Sequence, residues 1–334
     1  MARVKKSYID LGEGKMSYLI TGGMGFIGSN LVKKLASEGR KVVAFDKAPS
    51  LVGVNRCGVL DCVKLVQGDV TNLTDLLDAI KRFDVEYIVH LAAIHIGEPN
   101  VPIIDRSAAT SPFEWIDVGV TGTLNVFEAA RTLDVRKVVY ASSYSVLPTG
   151  STEDAPVKPN SLYGWCKALD EFLGQMYYDK YGLDNVGLRF GLVYGLGKRA
   201  GEMWVVDIVR KPALGEPYKL EQDPEMIVEW QNVKDCVKVI TRALDAKKTG
   251  HRLFNTCNQP STLREAASIV KSFLPDVEIE FVPKAGARKH LFGFIRYDIS
   301  RALKELGYEQ IPLKEGFKDF INETRREASL PEIK

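Results

Sequence analysis

Through its first two-thirds the chain alternates between two hydrophobic periods. Short, mostly apolar runs bounded by glycine or charged positions read as buried strands, and between them apolar residues recur at helical spacing. Six runs fit strands: Ser17–Thr21, a second ending at Asp46, residues 63–70, residues 87–92, a fifth ending at Ser143, and Asn185–Phe190. NLVKKLASEG, NLTDLLDAIKRF, PFEWIDVGVTGTLNVFEAARTLD and LYGWCKALDEFLGQMYYDKYG are the amphipathic helices between them. Apolar strands separated by such helices predict an α/β fold built on a doubly wound parallel sheet.

From Gly191 the alternation loosens into short segments rich in glycine and proline, up to about Gln231. NVKDCVKVITRALDA and RLFNT then resume it, and the remainder reads as helix, strand, helix, helix. The division expected is a nucleotide-binding unit of residues 16–190 plus 232–256. A smaller discontinuous α/β substrate unit takes residues 191–231 plus 257–330, and residues 1–15 form an N-terminal leader. A loop of about twenty residues, 94–112, is too long to be a simple connection and is expected to cover the substrate.

The junction of the first strand and first helix carries chemistry. SYLIT runs into GGMGFIG, with glycines at Gly22, Gly25 and Gly28. A turn lacking side chains lets backbone N–H groups approach a pyrophosphate, and the helix N-terminus adds partial positive charge. Phe26 and Ile27 lie in that turn. Eighteen residues after Gly28, Asp46 ends the second strand, where an acid can meet the adenosine ribose of a dinucleotide. Asp69 either accepts from an adenine amino group or caps the next helix. Val70, Leu91, Ala92 and Ala93 fall at strand ends where a cofactor would pass.

Composition narrows the field by exclusion. With 45% hydrophobic and 26% charged residues and a net charge of +2, the chain has no basic block for nucleic acid or an anionic membrane. The leader has no apolar core of a signal peptide, and no apolar run approaches the ~20 residues of a membrane helix. Five scattered cysteines without a CxxC pair argue against a disulfide framework and against zinc, and point to a reducing cytoplasm. His90, His95, His251 and His290 show no metal spacing, so no metal is expected.

Tyr163 and Lys167 stand four residues apart on a predicted helix, one turn apart on one face. A tyrosine acting as a base near neutrality must titrate about 3 units below its ordinary value near 10, roughly 4 kcal/mol. A neighbouring ammonium favours the phenolate. Ser143, at the carboxyl end of the fifth strand, faces the crevice where such sheets bind ligands and can hold the reacting oxygen.

Together TGGMGFIG, Asp46, HLAA at 90–93, GTLNV at 122–126, Ser143, and Tyr163 with Lys167 resemble the extended short-chain dehydrogenase/reductase family, the NAD-dependent epimerases and dehydratases. LRFGLVYG, NVKDCV, FNT and DISRALKELGY extend the resemblance over nearly the whole chain after the leader. It implies a Rossmann-type fold, a homodimer built on the helices near 112–133 and 162–181, and NAD. Asp46 would repel the 2′-phosphate of NADP, while Lys47 beside it leaves room for one. The family roles carried over are Tyr163 as catalytic acid/base, Lys167 on the ribose, and Ser143 on the substrate oxygen.

Departures from the family pattern bear on the substrate. Ser143-Tyr144-Ser145 lacks the carboxylates that dehydratases place after the hydroxyl residue. Leu192 stands where epimerases have Asn, Val228 and Glu229 where they put Arg against a pyrophosphate, and Gly119 replaces a further Asn. Arg288 or Lys289 remains to serve a phosphate, and His95 and Ser145 are candidate substrate contacts. QMYYDKYGLD, near Gln175, resembles members that oxidise small hydroxy compounds. The expected reaction is hydride transfer at a carbinol carbon of a sugar or nucleotide-sugar-like substrate. The alternative is a dehydrogenase that releases NADH after acting on a small hydroxylated substrate such as a sugar acid, polyol or hydroxy amino acid.

Overall fold

Seven of the apolar runs assemble into one sheet. The computed structural model describes residues 17–48, 63–94, 111–147, 151–199, 201–284 and 296–334. Its strands β1 (Ser17–Thr21), β2 (Lys41–Asp46), β3 (Val63–Gln67), β4 (Val85–His90), β5 (Lys137–Ser143) and β6 (Asn185–Phe190) are joined at one edge by β10 (Leu253–Asn255). The order is β10-β6-β5-β4-β1-β2-β3, and every pair is parallel. Between β1 and β4 the winding reverses, which opens a crevice above their carboxyl ends.

Helices cover both faces, so residues of both parities along a strand are buried. Tyr18, Ile20, Val42 and Ala44 pack toward α1 (Phe26–Ser37) and α7 (Val233–Asp245). Leu19, Val43 and Phe45 pack on the other side, toward α2 (Leu73–Arg82) and α4 (Gly122–Thr132). Tyr177 of the long helix α5 (Leu162–Tyr181) joins that second face. Local signals fix the helix ends: the Ser161 hydroxyl accepts from Gly164 N at 3.1 Å at the start of α5, and Gly182 at φ +69° ends it.

The structure corrects three local expectations. Strand β3 stops at Gln67, so Asp69 and Val70 lie in the turn beyond it. Asp69 is not the helix cap: Asn72 accepts from Thr74 N at 3.1 Å and caps α2. The single helix expected from Pro112 is broken in two. After α3 (Pro112–Ile116) comes a π-helical turn, Asp117–Thr121, and only then α4. Gly119, Gly122 and the β-branched Val118, Val120 and Thr121 make this the weakest α-helical stretch of the run, and π turns concentrate at functional sites.

A second core surrounds the fully buried Trp230. It gathers β7 (Leu192–Tyr194), β9 (Ile227–Asn232) and β11 (Pro260–Thr262) into a mixed three-stranded sheet, and β8 (Tyr218–Leu220) pairs with β12 (Ile279–Phe281). Helices α6 (Trp204–Ala213), α8 (Leu263–Phe273) and α10 (Leu313–Glu327) close around it. One stretch assigned to the smaller unit goes elsewhere: Ala302 and Leu306 of α9 (Ser300–Leu306), with Tyr308, pack into the first core. Cys166, Cys236 and Cys257 are buried free thiols. Among the described residues no helix is long and apolar enough to cross a membrane, and no cluster of His, Cys, Asp and Glu is arranged to hold a metal.

Candidate active site

A cavity of about 960 Å³ lies over the carboxyl ends of β1, β4, β5 and β6 and reaches the second core. It is lined by the glycine turn, by Asp46 and Asp69, by Ser143, Tyr163 and Lys167, and by Leu192, Val228, Glu229 and Tyr297. Parts of the chain more than 200 residues apart therefore face one space.

At one end backbone geometry dominates. Gly22 has φ +65°, and a Cβ there would stand 2.8 Å from the backbone of Leu91 and Ala92. At Gly28 a Cβ would fall 2.1 Å from the Gly22 carbonyl oxygen. Both positions need glycine for the chain to turn this tightly. Helix α1 starts at Gly25 with no side-chain cap and no acidic residue in its first turn, which leaves its first N–H groups for an anion. Asp46 braces this turn, accepting from Met24 N at 3.1 Å and from Ala48 N at 3.3 Å. Phe26, Ile27, Val70, Leu91, Ala92 and Ala93 line the same wall. A cradle that any Cβ would fill, beside an open helix N-terminus and an acid at the ribose position, fits a dinucleotide such as NAD.

Asp69 and Lys47 form a pair at the outer rim, with Nζ 2.8 Å from Oδ2. Burial acts to raise the Asp69 carboxyl, but Lys47 and the Thr71 N–H and hydroxyl hold it below its ordinary value. Lys47 is correspondingly raised by its bond to that carboxylate.

The other end is built from side chains. Ser143 ends β5, and its Oγ accepts from Ser145 N at 3.2 Å, starting the short 3₁₀ turn Tyr144–Val146. Beneath it, Glu171 takes both Nε and Nη2 of the buried Arg189 at 2.7 Å and the Ser142 hydroxyl at 2.5 Å, tying α5 to the ends of β5 and β6. Tyr163, in the first turn of α5, meets the edge of the buried Trp115 at 5.7 Å between ring centroids. Lys167 is 6% exposed, and its Nζ donates to Asp170 at 3.1 Å. Burial alone would lower its ammonium, but Asp170 and Tyr163 together hold it above the ordinary lysine value.

His90, behind Lys167, is pushed down to about 3 by burial and by the Lys167 charge, so it is neutral. Its ring nitrogens lie 2.7 Å from Thr21 Oγ1 and 3.2 Å from Thr123 Oγ1, which fixes it as a structural link between β1 and α4.

Toward the second core the wall changes character. Leu192 and Val228 are buried and apolar. Glu229 is pushed up to about 7 by burial, against the opposing effects of Gln259 N, Cys257 and Arg296. Tyr144, next to Ser143, stacks on Tyr297 with centroids 3.8 Å apart, and its hydroxyl bonds the backbone of Cys257.

Of the residues singled out from sequence, the cavity brings together Gly22, Gly25, Phe26, Ile27, Gly28, Asp46, Asp69, Val70, Leu91, Ala92, Ala93, Ser143, Tyr163 and Lys167. Ser145 does not line it; it is buried under Gly164, its Oγ without a hydrogen-bond partner. His95, Arg288 and Lys289, and all but the ends of the 94–112 loop, lie outside the described residues. Trp115, Asp170 and Tyr297 were not singled out as contributors, and Glu229 was noted only as standing where the family has Arg. Asp170 carried a readable signal, an acid three residues beyond Lys167 on the same helix face. Trp115 and Tyr297 reach the site through tertiary packing.

Known proteins share this fold. A UDP-glucose 4-epimerase of Mycolicibacterium smegmatis is 31% identical over 325 residues, covering 94% of this chain and 100% of its own. In three dimensions the chain is similar to UDP-glucose 4-epimerase of Thermotoga maritima, with a TM-score of 0.78 and 23% identity over 94% of this chain and 100% of that one. It is equally similar to a GalE-like L-threonine dehydrogenase of Cupriavidus necator, with a TM-score of 0.78 and 22% identity over 91% and 98% of the two chains. At such identities these structures establish the shared fold. Residues 18–257 match the NAD dependent epimerase/dehydratase family, and the chain is an enzyme belonging to that family.

Proposed function

We propose that the protein transfers hydride at a carbinol carbon of a hydroxylated, carbohydrate-like substrate, with NAD as cofactor and Tyr163 as acid/base. One observation carries this reading: the glycine cradle and the Ser143, Tyr163 and Lys167 set line one continuous cavity. The glycine turn and α1 N-terminus would hold the pyrophosphate, Asp46 the adenosine ribose, and Lys167 the second ribose. The nicotinamide supplies the hydride acceptor when it is bound. Ser143 donates a hydrogen bond to the substrate oxygen and orients it; Tyr163 removes the hydroxyl proton, and the Lys167 ammonium favours the resulting phenolate. In this reading the seven-stranded unit holds the cofactor and the smaller unit holds the substrate.

A specific observation favours a second reading, net oxidation of a small hydroxylated substrate. Leu192 and Val228 present apolar surface at positions where the family resemblance puts polar contacts to a nucleotide sugar, and the adjacent side chain is the acid Glu229. NADH absorbance at 340 nm separates the two. A dehydrogenase accumulates NADH in step with product, while an epimerase turns over with catalytic NAD and inverts one centre. A panel of UDP-sugars, free sugars, sugar acids and hydroxy amino acids covers both. In either case Tyr163→Phe is expected to lower kcat by about 10²–10⁴-fold; turnover that survives this change would defeat both readings.

We also propose a homodimer. Phe113, Trp165 and Phe172 are 79%, 56% and 64% exposed on α3 and α5, with Ile116 and Leu169 beside them, an apolar face suited to a second copy. Sedimentation at micromolar concentration is expected to give the dimer mass; a monomer would rule it out. The buried free thiols support a reducing compartment.

A further inference from the structure

Asp170 lies one turn beyond Lys167 on α5, only 1% exposed, with its Oδ2 3.1 Å from the Lys167 ammonium. Neither dinucleotide binding nor tyrosine chemistry calls for a carboxylate at this point, and a helix position facing the core is ordinarily apolar. A buried ion pair is also weak evidence for stability, since desolvating two charges offsets most of their attraction. The pair therefore needs a reason beyond holding the fold together.

We propose that Asp170 is a positioning residue: its carboxylate keeps the Lys167 side chain charged and pointed at the turn that carries Tyr163, before cofactor or substrate arrives. This rests on the reading of Tyr163 as the acid/base. Without a partner, a lysine this deeply buried loses the stabilisation of its charged form. Burial and the neighbouring Glu171 carboxylate raise the Asp170 carboxyl, Lys167 opposes them, and Oδ1 has no hydrogen-bond partner among the described residues, so the Lys167 ammonium is the group that holds its charge. Beside the pair, Thr123 donates to Gly119 O at 2.8 Å and meets His90, joining the π turn to the sheet.

Among the described residues around the pair, Glu171 is taken by Arg189, and the other neighbours leave Asp170 as the carboxylate on Lys167. From β4, His90 is neutral. From β5, Tyr140 is buried and raised well above the ordinary tyrosine range by that burial. From β6, Arg189 is committed to Glu171. On α5 itself, the Cys166 thiol is raised by burial and is therefore neutral.

The test compares pH profiles of Asp170→Asn with the unaltered enzyme. The phenolate absorbance that Tyr163→Phe removes, taken as a difference spectrum on protein without cofactor, reads Tyr163 directly. Asp170→Asn is expected to move that midpoint and the acid limb of kcat/KM upward by about 1 pH unit, and to lower kcat near pH 7 about tenfold with KM within about twofold. Asp170→Glu, which keeps the charge, is expected to restore most of the shift. A downward shift would overturn the proposal, because Lys167 would then stay charged unaided. An unmoved profile would overturn it too, leaving Asp170 a structural role only. If Asp170→Asn does not fold, Lys167→Met/Asp170→Asn removes both charges and is expected to titrate like Lys167→Met alone; any further shift overturns the proposal. Turnover that survives Tyr163→Phe defeats the underlying reading, whereas loss with Tyr163→Phe and an unmoved Asp170→Asn profile defeats this proposal alone.

Discussion

The two ends of the cavity are made of different material. At the glycine turn the wall is main chain: N–H groups, missing side chains, and one acid that braces the turn. At the far end it is side chain, contributed by β5, α5, β7, β9 and the segment before α9. A wall of backbone suits any ligand with a pyrophosphate and leaves little freedom to vary. A wall of side chains can be changed one residue at a time without disturbing the sheet. One end is thus expected to be intolerant and generic, the other tolerant and particular.

The largest expected effect tests the intolerant end. Gly28→Ala places a methyl 2.1 Å from a backbone oxygen that cannot rotate away. NAD affinity is expected to fall more than about 100-fold, with a stability loss of about 1–3 kcal/mol in urea unfolding. A Gly28→Ala protein that binds NAD normally would mean the turn relaxes freely, and the contrast between the two ends would fail.

Next comes the tolerant end. Glu229 is raised to about 7 in the fold from an ordinary 4.5, so its neutral form is the one the fold favours. Its contribution is fully present below about pH 4.5 and is lost as pH rises through 7. Glu229→Gln is therefore expected to match the unaltered protein near pH 4 and to gain up to about 3 kcal/mol over it by pH 8. Denaturant midpoints across that range check this. Equal pH dependence in the two proteins would show that Glu229 ionises without cost and is better solvated than its burial indicates.

The smallest effect belongs to the rim. The Lys47 side chain is 78% exposed where it pairs with Asp69, and such pairs contribute at most about 1 kcal/mol. Lys47→Ala is expected to change unfolding free energy by less than that and NAD affinity by less than about threefold. A larger loss of affinity would make Lys47 a cofactor contact and move the rim into the intolerant class.

The same contrast explains what the sequence disclosed. Gly22, Gly28 and Asp46 were legible because backbone demands leave fixed residue types at fixed spacing. The apolar runs gave the sheet because strands buried on both faces have little choice of composition. Tyr163 and Lys167 were legible from helical spacing, and the family resemblance supplied their roles. The π turn at Asp117–Thr121 was not legible, since one residue more in a turn barely alters an apolar stripe. Asp69 was open between two roles because an acid before a helix resembles a cap, and only the backbone beyond β3 decided for Asn72. Tyr297 comes to Ser143 through tertiary packing, which no local pattern encodes, and Val228 was legible only through the family resemblance. Ser145 illustrates the converse: it is next to the right residues in sequence and faces the wrong way.

The stacked Tyr144 and Tyr297 form a rivet within the side-chain end, fastening the end of β5 to the segment before α9. Tyr144 directly follows Ser143, and its ring and hydroxyl are clamped by Tyr297 and the Cys257 backbone on the far side of the cavity. Any lineage that remodels the smaller unit thus inherits a fastening it must keep, because loosening it would also slacken Ser143.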